Sequence, residues 1–151
     1  MKNLFKLLGL ALIVAIAVPA AKAERLPMNV DKMPSQVQLM LNEYYPGVKV
    51  AKSWAKMMRP TTKPMWYNVV LDNGIKIKFS LDGNWETISA KKSASTPVSI
   101  DFLPNEARKY ISTKYPNETI KSIKFKKDFY KVKLSNGAKL NFDKEYQFVA
   151  K

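Results

Sequence analysis

Between residues 67 and 79 apolar and polar positions alternate, reverse at Asn73-Gly74 and alternate again, as Tyr-Asn-Val-Val-Leu-Asp-Asn-Gly-Ile-Lys-Ile-Lys-Phe. Residues 130–142 repeat the pattern Tyr-x-Val-x-Leu-x-Asn-Gly-x-x-x-x-Phe at an offset of 63 positions. Period-two alternation on both sides of Asn-Gly predicts a β-hairpin, because Asn and Gly tolerate the positive φ of a tight type I′ turn. The same period assigns faces. Tyr67, Val69, Leu71, Ile75, Ile77 and Phe79 point one way, as do Tyr130, Val132, Leu134, Ala138, Leu140 and Phe142. Trp66, Asn68, Lys76 and Lys78 point the other way, with Phe129, Lys131, Lys133 and Lys139.

A helical period precedes each hairpin. Val37, Met40, Leu41 and Tyr44 form one stripe after Pro34, and Ala107, Tyr110 and Ile111 form another after Pro104. Proline suits a helix start, where its missing N–H would have no partner. Tyr45-Pro46-Gly47 and Tyr115-Pro116-Asn117 stop the two helices. Strands are predicted over 48–58 and 85–88, and then over 120–125 and 146–149; Asp82-Gly83-Asn84 forms a turn. Residues 24–32 show no period and read as irregular, and the Ser-, Lys- and Pro-rich stretch 91–99 reads as a linker. The helix prolines lie 70 positions apart, seven more than the hairpins, which places an extra projecting loop at 57–64. The expected fold class is α+β: two tandem repeats, about 31–90 and 101–151, each one helix packed on about four antiparallel strands.

The N-terminus changes the setting. Lys2 and Lys6 precede an apolar run over 7–18, and Ala21-Lys22-Ala23 supplies a small-x-small site, so residues 1–23 read as a signal peptide cleaved before Glu24. The run is short against the roughly 20 residues of a membrane span; an uncleaved anchor is the alternative. Residues 24–151 then form a single periplasmic or secreted domain. The absence of cysteine makes that domain depend on burial alone. Of 26 basic residues, Lys2, Lys6 and Lys22 leave with the signal; the remaining 23 face 12 acidic residues, a charge of +11. Such a balance suits either an acidic partner or a solubilising lysine surface.

Catalytic chemistry is not legible. Without His or Cys the chain builds neither a Ser-His-Asp nor a Cys-His site, nor zinc ligation of the usual kind. Ser53-x-x-Lys56 and Ser89-x-x-Lys92 open no predicted helix and lack the companion motifs of Ser-Lys enzymes. The acid pairs Asp82/Glu86 and Asp143/Glu145 fall at turns and strand ends. No glycine-rich loop could cradle a phosphate. No catalytic residue, metal ligand or cofactor is assigned, and neither enzyme activity nor a nucleic-acid partner is expected. Of the tryptophans, Trp85 aligns with Phe148 and reads as core, and Trp54 stays open between core and surface. Trp66 adjoins inward Tyr67 and must point outward, where lysines flank it. An outward Trp in a basic surround suits a binding surface; contact with a neighbouring strand is the plainer reading.

This order of Pro-led helix, Tyr-Pro stop, Tyr-x-Val-x-Leu-x-Asn-Gly hairpin and Asp-Gly turn resembles the PepSY-like family of exported bacterial proteins, from about residue 33 to 149. That family has a tandem fold similar to the β-lactamase inhibitor protein. The second repeat departs from the pattern, carrying Glu145-Tyr146 where the first has Asp82-Gly83. The resemblance implies a non-enzymatic binding protein, an inhibitor or modulator of a protein partner, that uses its open sheet face and a projecting loop. It therefore adds Met57, Met58 and Arg59 to the candidate surface of Trp66, Asn68, Lys76, Lys78, Phe129, Lys131, Lys133 and Lys139. The expected partner is a protein with an acidic surface. The alternative is a polyanion, either an acidic glycan or an anionic membrane surface.

Overall fold

The computed structural model of the protein describes residues 23–143, 145 and 148. The expected signal peptide lies outside the described residues apart from Ala23, and so does the expected strand 146–149 apart from Phe148.

Eight strands form one antiparallel sheet whose spatial order is their chain order. They are β1 (Ala23–Pro27), β2 (Val50–Met58), β3 (Pro64–Leu71), β4 (Ile75–Phe79), β5 (Trp85–Ala90), β6 (Ile120–Lys126), β7 (Phe129–Leu134) and β8 (Lys139–Asp143). Among the described residues two ten-residue α-helices join them: α1 (Ser35–Tyr44) between β1 and β2, and α2 (Asn105–Lys114) between β5 and β6. The molecule is thus mostly β.

This corrects the expectation of two tandem helix-plus-sheet repeats. β5 pairs with β6 through Thr87–Lys124, Ile88–Ile123 and Ser89–Ser122, so the sheet runs unbroken across the supposed boundary. Two separate units would each present an unpaired strand edge at that point, and pairing the edges satisfies both rows of backbone groups. The linker of the sequence reading is docked as well. Ser95 N–H donates to Asn73 O at 3.0 Å, Val98 pairs with Ile120, and Val98 is only 2% exposed. Residues 24–27, read as irregular, form β1 with Ala23 and pair with β2 from Trp54 to Met58. All five are exposed, so they carry no alternation for a sequence reading to detect.

Local structure follows the sequence closely. Each reversal at Asn-Gly holds three residues between the paired positions, one more than a type I′ turn. Asn73 Oδ1 accepts the Ile75 N–H at 3.1 Å, and Asn136 Oδ1 accepts that of Ala138 at 2.9 Å. Gly74 and Gly137 take φ of 86° and 87°, and at Gly74 a Cβ would also meet the Ala94 Cα at 2.6 Å. A three-residue loop with a left-handed final residue is the next most favoured hairpin. Pro34 and Pro104 sit one residue earlier than the helix start, capping α1 and α2 in extended conformation.

The alternation places the core. Val69, Ile75, Ile77, Phe79, Val132, Leu134 and Phe142 have no exposed surface, and Leu71 and Leu140 have 2%. They form one cluster with Val37, Met40 and Leu41 of α1 and with Ala107 and Ile111 of α2, so both helices lie on the same face of the sheet. Tyr44 leaves its predicted stripe: it is 38% exposed and stacks on Phe102 with ring centroids 4.4 Å apart.

Candidate functional site

Because directly opposed residues share a face, the pairing register maps the side of the sheet turned away from the helices. One row across it reads Lys52, Val70, Lys76, then Ser89 and Ser122 at the β5–β6 seam, then Lys133 and Lys139. The next row reads Trp54, Asn68, Lys78, then Thr87 and Lys124, then Lys131 and Asn141. Beyond it, Arg25, Lys56 and Trp66 pair at one side, and Lys126, Phe129 and Asp143 at the other. Both described helices cover the opposite face, so this one is an open lysine surface with aromatic residues set into it.

The β1–β4 side of this face is the more structured. Trp66 is half-buried, with Lys78 Nζ 4.4 Å from its ring centroid. Trp54 lies between two cations: Arg25 Cζ is 5.2 Å and Lys76 Nζ 5.5 Å from its ring. Trp54, left open between core and surface, therefore belongs to the open face. Lys78 also pairs with Glu86 at 2.9 Å, both side chains being more than a third exposed, so solvent screens the pair. Cation–π contacts hold the long lysine stems flat against the indoles. Asn68 and Val70, between these groups, are each 5% exposed although neither belongs to the core face. Asn68 was expected to be an exposed outward residue; it points outward but its neighbours bury it.

On the β6–β8 side Phe129 and Lys131 are half-buried, and Lys133 and Lys139 are exposed. Trp66 and Phe129 share the face but do not meet. β3 and β7 stand four strand spacings apart, roughly 19 Å.

The projecting loop is shorter than expected. β2 continues through Met58 and β3 begins at Pro64, leaving residues 59–63 between them. Met57 is a strand residue packed against the core and leaves the candidate surface, because alternation turns it inward after outward Lys56. Met58, at the strand end, is 41% exposed. Arg59 donates to both carboxylate oxygens of Glu24, at 2.7 and 3.0 Å, tying the loop to β1. That bond and the Arg59 charge hold the Glu24 carboxyl below its ordinary value.

Sequence reasoning missed Arg25, which arrives only because β1 pairs with β2, and it missed Lys124 and Lys126, which arrive through the seam. Period-two spacing from Ser122 was a signal for the latter pair. Among the described residues no group of three or more His, Cys, Asp or Glu side chains converges in metal-binding geometry. A cavity of about 190 Å³ lies between α1 and the β4–β5 turn, lined in part by Leu39, Tyr44 and Trp85. It is on the helix side and shares no residue with the open face.

A family described as "Putative beta-lactamase-inhibitor-like, PepSY-like" matches residues 65–150. Among solved structures, the chain is similar to a "putative calcium-regulated periplasmic protein" from Bacteroides thetaiotaomicron. The two are 31% identical with a TM-score of 0.71, over 83% of this chain and 94% of that one. A "putative periplasmic protein" from Bacteroides vulgatus is 28% identical with a TM-score of 0.70, over 84% of this chain and 95% of that one. A "putative periplasmic protein of unknown function" from the same organism is 25% identical with a TM-score of 0.71, over 84% and 98%. No curated protein matches the chain. No helix among the described residues is long and apolar enough to cross a membrane.

Proposed function

The chain belongs to the PepSY-like, beta-lactamase-inhibitor-like family, and from that premise we propose that it is a non-enzymatic periplasmic binding protein holding an acidic protein partner on its open sheet face. The observation that carries this reading is the composition of that face. Lysines on five strands, joined by Arg25 of β1, surround Trp54, Trp66 and Phe129, with Glu86 and Asp143 as the acidic residues among them. Apolar anchors with a charged surround are the anatomy of a protein interface. The descriptions of the structural relatives as periplasmic support the compartment, and the expected signal peptide agrees with them.

A second reading, an acidic glycan or anionic membrane surface held by charge alone, draws on the exposed Lys133 and Lys139. Salt separates the two, because charge-driven attachment weakens steeply with ionic strength and an aromatic-anchored interface changes modestly. The test is affinity capture from the native envelope fraction, followed by calorimetry on the purified pair at low and high salt. Trp66→Ala should weaken the pair about tenfold or more at either salt concentration. Binding that survives this change and vanishes in high salt would overturn the protein-partner reading.

A further inference from the structure

The strands alternate in direction, so the connections β2–β3, β4–β5 and β6–β7 share one end of the sheet, with Ala23 at the start of β1. Each of the three carries a large exposed apolar side chain at or beside its tip: Met58 at 41%, Leu81 at 50% and Phe125 at 44%. The hairpin reversals at the opposite end hold Asp72-Asn73-Gly74 and Ser135-Asn136-Gly137, the residues that turns ordinarily favour. Leu81 serves no structural need at its tip. Its turn is closed by Gly83 N–H donating to Ser80 O at 3.1 Å and by Asn84 N–H donating to Ser80 Oγ at 3.3 Å. Leu81 takes no part in the core cluster either. Successive tips stand two strand spacings apart, about 10 Å, and form a rim of separate apolar points. The β6–β7 tip adds charge: Lys124, Lys126, Lys127 and Lys131 lie within three residues of its turn, against Asp128 and Asp143.

We propose that this rim docks the protein on an anionic bilayer surface. Leu81 and Phe125 enter the interfacial layer, and the lysines of the β6–β7 tip meet lipid phosphates. The proposal stands apart from the reading of the open face as a protein-binding surface. It also differs from attachment by charge alone through Lys133 and Lys139, which pair near the opposite end of β7 and β8. Apolar points set about 10 Å apart suit a fluid bilayer, which each side chain enters by itself. A protein partner would need a contiguous, closely packed apolar centre instead. The position of Ala23 agrees with this orientation. It begins β1 at the rim, so the expected signal sequence joins the fold on the side proposed to meet the bilayer.

The test is co-sedimentation with vesicles, using the protein purified from the envelope as the cell processes it. Vesicles of phosphatidylcholine mixed with phosphatidylglycerol should bind it about tenfold or more tightly than phosphatidylcholine alone. Leu81→Ser should weaken binding to the mixed vesicles about fivefold, and the pair Lys126→Gln and Lys127→Gln about tenfold. Phe125→Ser should act like Leu81→Ser. Phe125 also touches Trp85 and Tyr130, with ring centroids 6.5 and 4.9 Å away, so the Leu81 variant carries the test if the Phe125 variant fails to fold. Thermal melts would show which variants remain folded. Val50→Ser, at an apolar residue 41% exposed at the opposite end of the sheet, should change binding by about twofold at most. Absence of binding, binding that Leu81→Ser leaves unchanged, or an equal loss from Val50→Ser would each overturn the rim. So would a larger loss from Lys133→Gln with Lys139→Gln than from the Lys126 and Lys127 pair. Because the vesicles need no natural partner, failure here would leave the capture experiment standing, and failed capture would leave the rim standing.

Discussion

The two hairpins, 67–79 and 130–142, agree on one face of the sheet and differ on the other. Inward, Tyr67, Val69, Leu71, Ile77 and Phe79 are matched at an offset of 63 by Tyr130, Val132, Leu134, Leu140 and Phe142. Outward, Trp66, Asn68, Val70 and Lys78 are matched by Phe129, Lys131, Lys133 and Asn141. The inward residues meet the same requirement, a helix to cover and a core to fill, so both hairpins satisfy it with similar residues. The outward residues meet no common requirement. One side holds indoles, stacked cations and the buried residue Asn68, and the other holds half-buried Phe129 with exposed lysines. Recognition on this face should therefore be lopsided, with anchoring at β2–β4 and steering at β7–β8.

The largest effect should come from the seam that joins the two sides. Ile88 and Ile123 face each other across β5–β6 with no exposed surface. Ile88→Ala or Ile123→Ala should cost about 2–5 kcal/mol in denaturant unfolding, through one cooperative transition. Two separated transitions would mean that the sides fold independently. Next come the matched core valines: Val69→Ala and Val132→Ala should each cost about 1–3 kcal/mol. A loss under half a kcal/mol at both would reverse the assignment of faces.

The outward comparison is sharpened by Trp66→Ala, which should remove about 1–2 kcal/mol of partner binding while leaving the thermal midpoint nearly unchanged. A large loss of stability would show that Trp66 is a packing residue. Charge reversal at Lys131 and Lys133 should mainly slow association, read by stopped flow at two salt concentrations.

The smallest effect concerns the paired helix stops. Tyr45 is 9% exposed, its hydroxyl buried and without a hydrogen-bond partner among the described residues, whereas Tyr115 is half-buried. Burial pushes the Tyr45 pKa up to about 12, above the ordinary value near 10. Its contribution to stability should be complete below pH 10 and lost as pH rises from 10 towards 12, because the unfolded chain releases the proton first. Tyr45→Phe should abolish this dependence in pH-resolved melts, at a cost within about 0.5 kcal/mol at neutral pH since no hydrogen bond is lost.

Part of the site was legible from residue order alone. Adjacent strand residues face opposite ways, so inward Tyr67 forced Trp66 outward, and Lys76 and Lys78 followed by the same period. Trp54 was not assignable, because the strand 48–58 alternates poorly and a bulge between Val50 and Lys52 shifts its phase. Met57 was misplaced because the Pro- and Thr-rich stretch after it resembled a longer loop than 59–63. The burial of Asn68 could not be foreseen either. It depends on Trp54 from β2 and on Lys78 folding back over Trp66.

Residue order by itself determined the helices, the two reversals, the inward face and the family, because each rests on contacts within a turn or a hairpin. Only the tertiary structure decided that the sheet is continuous, that 23–27 is a strand, and that the outward residues of both sides share one surface. Edge pairing is read from backbone groups that every residue carries, so it leaves no side-chain signature in the sequence. β1 is exposed along its whole length, and the β5–β6 seam consists of three residue pairs. These long-range pairings turn two lysine-bearing hairpins into one continuous open face.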